Sequence, residues 1–431
     1  MNPNHHDDHL VINPHPGADE AGPEITPGAE SPTPARPPRF PAFDGLRAIA
    51  AITVVVVHTS FVTGLTPRHR TGLGMYTSRM EIGVAVFFLI SGFLLYRPFT
   101  VAHFAKAEQP GTRSFWIRRL LRIVPAYWLA LFVTTTVFNA GTGMGPGGFK
   151  AYFTHYFFLQ IYFPDQDLRG ISAAWSLCVE MSFYLFIPLY AQWIGRRRAR
   201  YSVNRMLALE LAGIGALLVV SFAWRSIILG ILGQGAPYDR LAMTWLPASL
   251  DLFAMGMGLA IISAWFHHED REPMIFSNPL FPWVSWAMAL LCFWAVSNLG
   301  LPVVPLYFPS TIELLRQTLY GLFAFFLLMP AVFGPQHKGT IRRVLQLWPI
   351  ASLGVISYGI YLWHETWIYE MLKWGKYQIF NIEFIGFFCA VLALSIASSS
   401  LSYFGLEKPM LKFKRHFAWF EGKRAAARAR S

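Results

Sequence analysis

Charge is scarce in this chain. Only 14% of its 431 residues are Asp, Glu, Lys or Arg, against about a quarter in an ordinary soluble domain. With 54% hydrophobic residues and a mean hydropathy of +0.39, that deficit excludes a soluble globular protein. Cysteine is scarcer still. Cys178, Cys292 and Cys389 each fall inside an apolar segment, at spacings that suit neither a disulfide framework nor a zinc site, and they read as small hydrophobes. Acidic residues number 24 against 36 Lys and Arg, a net charge of +12. The basic excess clusters in short loops beside apolar segments, where it sets topology and meets anionic headgroups, so no nucleic-acid partner is expected. There is no phosphate-cradling glycine loop, no GxSxG elbow and no zinc motif. Residues 1–40 lack any apolar run, so no secretory signal peptide is expected there.

Long apolar segments are plentiful. Aromatics reach 16%, with 15 Trp and 37 Phe, a composition suited to lipid-facing and interfacial surface. Ten segments approach the ~20 residues needed to span a bilayer. They lie at 43–64, 81–97, 123–140, 173–194, 207–223, 241–265, 280–299, 313–333, 350–371 and 381–404. An N-terminus on the cytoplasmic side places most of the Lys and Arg on that face. The expectation is an all-α polytopic membrane protein of about ten transmembrane helices, in the cell membrane, with both termini cytoplasmic. Residues 1–40 read as a disordered polar tail, 41–412 as the membrane domain and 413–431 as a basic cytoplasmic tail. His5, His6, Asp7, Asp8 and His9 offer at most a weak metal site in that solvated tail, and no metal is expected in the membrane domain. The connection 98–122 reads as internal and basic, and 141–172 as external, glycine-rich and then aromatic, its second half re-entrant or interfacial. No internal repeat is visible.

Polar residues inside the apolar segments mark candidate sites, because an ionisable group at that depth is costly. Arg47 and His58 share a helix face, eleven positions and ~16 Å apart. Arg119 and Arg122, with Arg118 and Arg113 nearby, form a cationic patch able to grip phosphate in a fork geometry or to anchor lipid. Ser176 and Glu180 are i,i+4 on one face, and Glu180 can orient a histidine or fix helix packing. Ser357, Tyr361 and His364 form a polar stripe read as structural, and Asp251 is read as a paired packing residue. Gly92 permits close approach of the first helix or a ligand; Ser91 beside it is a weak nucleophile candidate with no base fixed near it.

Taken in order, FDGLRAIAAITVVVVHTS, VFFLISGFLLYR, RRLLRIVPAYW, WSLCVEMSFYLFIPL, ISYGIYLWH and LEKPML resemble the acyltransferase 3 family of integral-membrane acyltransferases. Arg47 and His58 supply that family's Arg-x10-His signature, and Arg119 and Arg122 its RxxR motif. The resemblance implies transfer of an acyl group, often acetyl, from cytoplasmic acyl-CoA to a hydroxyl of a glycan, glycolipid or macrolide acceptor. Under it, Arg118, Arg119 and Arg122 suit the donor's phosphates and His58 acts as general base or as acyl carrier. Arg47 holds the donor, oriented by Asp44, and Glu180 polarises or positions His58. Because the chain ends soon after the last span, a stand-alone member without a fused hydrolase-like domain is expected. Two other classes compete: a secondary transporter with a midplane His/Arg/Glu site, and a structural or sensor protein without turnover.

Overall fold

The computed structural model describes residues 40–68, 72–140, 148–167, 169–230, 241–301 and 310–410. The expected N-terminal tail, its histidine cluster and the basic C-terminal tail lie outside these residues. Among the described residues, eleven helices frame the bundle, with shorter ones between them: α1 Ala42–Thr63, α2 Gly83–Phe104, α3 Thr112–Phe132, α4 Trp175–Gly195, α5 Val203–Gly230, α6 Leu246–Glu269, α7 Phe281–Ser297, α8 Ser310–Val332, α9 Trp348–Val355, α10 Ser357–Gly375 and α11 Phe384–Ser402. No strand occurs among the described residues. Among the described residues, eight helical segments are long and apolar enough to cross a membrane, while α7 is apolar but only 17 residues long. The protein is an all-α, multi-pass membrane protein.

Each expected span coincides with a helix, but several differ in extent, the fifth among them, which runs over Val203–Gly230 rather than 207–223. The second runs on to Phe104 rather than stopping at 97, with Pro98 accommodated inside it. Its Arg97 is therefore not a loop charge: it packs over the Phe40 ring at 5.1 Å and donates to Ser263 Oγ at 3.3 Å. The third begins at Thr112, so RSFWIRRLLR forms its opening turns and the 98–122 connection shrinks to 105–111. The ninth breaks between Val355 and Ser357, where Ser357 Oγ closes onto the Gly354 carbonyl at 2.8 Å. Between α3 and α4, Gly148–Tyr156 is a short helix that buries Ala151, Thr154 and His155 and exposes Phe149, Tyr152 and Phe153. The glycine-rich stretch 141–147 lies outside the described residues.

Helix α2 runs through the middle of the core. Gly92 faces the backbone of Phe253 and Gly256 faces that of Leu89, so α2 and α6 cross in direct main-chain contact. The close approach expected at Gly92 is thus made by α6, not by α1. Phe253 stacks on Phe183 at 3.9 Å and on Phe88 at 4.5 Å, which fastens α4 and α2 to the same ring. Asp251 accepts from Ser221 Oγ at 3.1 Å and Gln317 Nε2 at 3.0 Å, a paired packing residue as its sequence context suggests. Arg225, Glu313, Arg316 and Glu81 extend that polar seam among α5, α8 and the approach to α2.

Candidate active site

Helix α1 is unbroken from Ala42 to Thr63, so Arg47 and His58 lie on one face as their spacing requires. Gly354 sits directly against the Asp44 backbone, which brings the end of α9 beside the first turns of α1. Asp44 Oδ1 accepts from Arg47 Nη1 at 2.9 Å, the i,i+3 ion pair expected of that spacing.

A cavity of about 320 Å³ opens between α1, α2, α3, α4 and the α9–α10 break. Arg47, Arg119 and Arg122 line its basic end, Ser91, Glu180 and Tyr184 its middle, and Phe87, Ser176 and Tyr361 its far end. Lining residues on α2 run from Val84 to Leu95, about 16 Å of helix at ~1.5 Å per residue. The two arginines of the RxxR motif are held apart from Arg118, which is turned back onto Ser114 of its own helix and does not line the cavity. Arg118 stands ~90° around the helix from the centre of the lining face defined by Arg119, Arg122 and Ile123.

Glu180 faces this cavity rather than His58. Its Oε1 accepts from Ser91 Oγ at 2.5 Å and from Tyr184 OH at 2.6 Å. Both donors converge on one oxygen, leaving Oε2 without a hydrogen bond among the described residues. Ser91 is thereby a donor that fixes the carboxylate. Three guanidinium groups and one carboxylate give the cavity wall an excess of positive charge, suited to an anionic ligand.

His58 meets a partner 306 residues away. Its Nδ1 lies 2.9 Å from His364 Nε2, and the two rings are 5.0 Å apart between centroids with 24° between their planes. His364 is fully buried, and its Nδ1 lies 2.7 Å from the Tyr361 carbonyl. Glu365, buried beside the pair, accepts from Ser172 Oγ at 2.6 Å and the Ala173 amide at 3.0 Å. One donor atom from each of His58, His364 and Glu365 lies within 4.8 Å of the others, a spacing that can hold a metal ion. His58 Nδ1 and His364 Nε2 also lie within hydrogen-bonding distance of each other. Tyr361 separates the histidines from the cavity: its hydroxyl donates to the Ala173 carbonyl at 2.7 Å and its ring meets Phe87 edge-on at 5.9 Å.

The sequence-expected residues therefore sort into two groups. Arg47, Arg119, Arg122 and Glu180 share the cavity; His58 stands one layer beyond it, and Arg118 stands outside. The polar stripe of Ser357, Tyr361 and His364 contributes to both, since the first two line the cavity and the third holds His58. Tyr184 and Glu365 are the residues that the sequence reading leaves out, and each stands i+4 to one that it names, Glu180 and Tyr361. Glu365 lies ~40° around α10 from Tyr361 and ~75° from the centre of the stripe, so helical periodicity puts it at the stripe's edge.

The chain matches an acyltransferase domain family over residues 40–404. The peptidoglycan O-acetyltransferase OatA of Listeria monocytogenes is 24% identical over 345 residues, covering 75% of this chain and 48% of that protein. The putative peptidoglycan O-acetyltransferase YrhL of Bacillus subtilis is 26% identical over 389 residues, covering 86% and 55%. The O-acetyltransferase OatA of Staphylococcus aureus is 22% identical over 405 residues, covering 87% and 58%. The chain thus spans about half the length of the curated relatives it matches, and no solved structure matches it. A family match across nearly the whole described membrane domain agrees with the ordered motifs, and the chain belongs to the acyltransferase 3 family of integral-membrane acyltransferases.

Proposed function

We propose that this protein is a membrane O-acyltransferase that moves an acyl group, acetyl in the first instance, from cytoplasmic acyl-CoA to a hydroxyl of a cell-envelope glycan. The observation that carries the reading is the alignment of an arginine-lined cavity with a histidine pair along one column of the helix bundle. Arg47, Arg119 and Arg122 take the phosphates of the donor, and the slot past Ser91 and Glu180 admits its pantetheine arm toward Tyr361. The basic ends of the helices face the cytoplasm in this reading, both termini with them. His58 takes the proton of the acceptor hydroxyl, or carries the acyl group as an acyl-imidazole. The glycan class follows the relatives, whose names specify peptidoglycan O-acetylation.

Family membership argues against the transporter alternative, and no observation favours it. The test is transfer from radiolabelled acetyl-CoA to a soluble N-acetylglucosamine oligomer by the purified full chain in detergent. His58→Ala is expected to abolish transfer while acetyl-CoA binding persists, and Arg119→Ala with Arg122→Ala to weaken that binding. Undiminished transfer by His58→Ala refutes the role of His58; unchanged affinity in the double arginine variant returns those residues to lipid anchoring. Protein-bound acetyl released by hydroxylamine selects the carrier route over the base route.

A further inference from the structure

The hydrogen-bond chain behind His58 fixes where its protons sit. A carbonyl oxygen only accepts, so the 2.7 Å contact between the Tyr361 carbonyl and His364 Nδ1 requires the proton on that nitrogen. With both rings neutral, His364 Nε2 is then a lone-pair acceptor. The 2.9 Å contact from His58 Nδ1 to His364 Nε2 must in turn carry its proton on His58 Nδ1. One arrangement satisfies both bonds. It leaves the second nitrogen of His58, Nε2, as the unprotonated atom, and Nε2 makes no hydrogen bond among the described residues.

We propose that His364 is a positioning residue that locks His58 in the Nδ1–H tautomer and aims Nε2 at the reacting groups. This rests on the reading of His58 as the acyl-transfer residue. The arrangement has the logic of a catalytic triad, in which a group behind the histidine sets its tautomer and orientation. Here the outer member is a backbone carbonyl and the middle member a second imidazole. Transfer then proceeds with His58 Nε2 accepting the proton of the acceptor hydroxyl as that oxygen bonds to the acyl carbon. The carbon–sulfur bond breaks, and the departing sulfur takes the same proton from Nε2 and leaves as the CoA thiol. The charge that His58 carries in between lies beside the Glu365 carboxylate, which Ser172 and the Ala173 amide hold in place.

Locking is needed because free imidazole prefers neither nitrogen strongly enough to guarantee a base at one position, and a wrong tautomer removes the lone pair altogether. A carboxylate in place of His364 would set the same tautomer, but at the cost of a full charge in a fully buried position. A second imidazole, itself fixed by a main-chain carbonyl, achieves the lock with neutral groups.

The test compares His364→Gln with His364→Leu in the full chain, with the acetyl-CoA and N-acetylglucosamine oligomer assay. A Gln side chain can present its carbonyl oxygen where His364 Nε2 stands; Leu fills similar space without an acceptor. His364→Leu is expected to lower kcat by ~10²-fold or more, the range a general-base step contributes, with the KM for acetyl-CoA unchanged. His364→Gln is expected to recover most of that loss. Acetyl-CoA binding by each variant reports that the protein is folded. If Leu and Gln variants are equally impaired with binding intact, His364 serves packing and the proposal fails. If both retain full kcat while His58→Ala is inactive, the lock is refuted and the role of His58 stands. Normal turnover by His58→Ala refutes both.

Discussion

Replacing Gly354 by Ala tests whether the α1–α9 contact sets the geometry of the cavity. A Cβ at Gly354 would fall inside the backbone of Asp44, 2.7 Å from its Cα and nearer still to its carbonyl. Carbon atoms pack best at about 3.5–4.0 Å, so the two segments must separate by ~1 Å. Neither side can yield by a rotamer change, because the obstructing atoms are main chain. Overpacking of this kind costs ~1–3 kcal/mol. The same displacement carries Asp44, and with it Arg47, away from Arg119 and Arg122 across the cavity. A misplacement of ~1 Å at a substrate-positioning group can cost on the order of 10²-fold in rate. Gly354→Ala is therefore expected to lower the melting temperature in detergent and to raise the KM for acetyl-CoA. Gly215→Ala is the control: it lies in α5 with nothing within 4 Å of an added Cβ. It should be neutral or stabilise by ~0.4–1 kcal/mol through the unfolded chain. Wild-type stability and KM in Gly354→Ala, or equal damage in both variants, would refute the reasoning.

Three further outcomes follow from the same geometry. Glu180→Gln removes a carboxylate that shares the cavity wall with three arginines, so it should tighten acetyl-CoA binding several-fold without abolishing transfer; total loss of transfer would make Glu180 a direct participant. Glu313→Gln leaves Arg225 and the bidentate Arg316 (2.6 and 2.7 Å) without their shared counter-charge, and breaking a buried pair costs ~3–5 kcal/mol. Its detergent melting temperature should fall clearly, and an unchanged melt would show the seam to be inert. Burial holds His155, in the loop helix Gly148–Tyr156, down at about 4, against ~6.5 in an unfolded chain. The open segment thus binds more protons than the folded one between those two values. Local stability is full above pH ~6.5 and falls toward pH ~4, by about 3 kcal/mol in all. Proteolysis of the 148–171 segment should accelerate over that window, and His155→Leu should flatten the dependence.

Much of this architecture is legible in local sequence, because helical periodicity is local physics. The face shared by Arg47 and His58, the Asp44–Arg47 pair and the joint placement of Arg119 and Arg122 all follow from ~3.6 residues per turn. What periodicity does not contain is which face meets which. Glu180 is visible as a carboxylate needing partners, yet Ser91 and Tyr184 answer that need, one from another helix and one from its own next turn. His58 likewise requires a partner, and His364 stood in view as the end of a polar stripe. Their union depends on Gly354 letting the end of α9 nest against Asp44, and on Gly45 letting α1 meet the backbone of Leu345 just before α9. Gly354, whose missing side chain leaves room for the Asp44 backbone, is what links the stripe to α1 and so to His58. The start of α3 was obscured for a different reason. Its first turns carry four arginines, which a hydropathy window rejects, although their aliphatic stems and Phe115 and Trp116 still wind as helix.

The separation of cavity from histidines bears on how a transfer across a bilayer avoids wasting its donor. An acyl thioester beside an unprotonated imidazole and water hydrolyses; an enzyme that joins a cytoplasmic donor to an external acceptor must keep those elements apart until the acceptor is in place. Here the arginine cavity ends at Tyr361 and Phe87, and His58 lies one layer further along α1. Tyr361 belongs to both sides, since its ring closes the cavity while its own carbonyl orients His364. A shift of α10 that admitted the thioester past Tyr361 would move that carbonyl as well. In the proposed reaction, donor entry and the alignment of the histidine pair would be mechanically joined through one residue, whose hydroxyl is anchored on the Ala173 carbonyl. Glu365 is anchored on the amide of the same Ala173. Removing the Tyr361 hydroxyl alone, by Tyr361→Phe, frees the ring but leaves the carbonyl, so it should raise hydrolysis of acetyl-CoA without acceptor more than it lowers transfer. A variant in which hydrolysis and transfer fall together would show that the ring is only a wall.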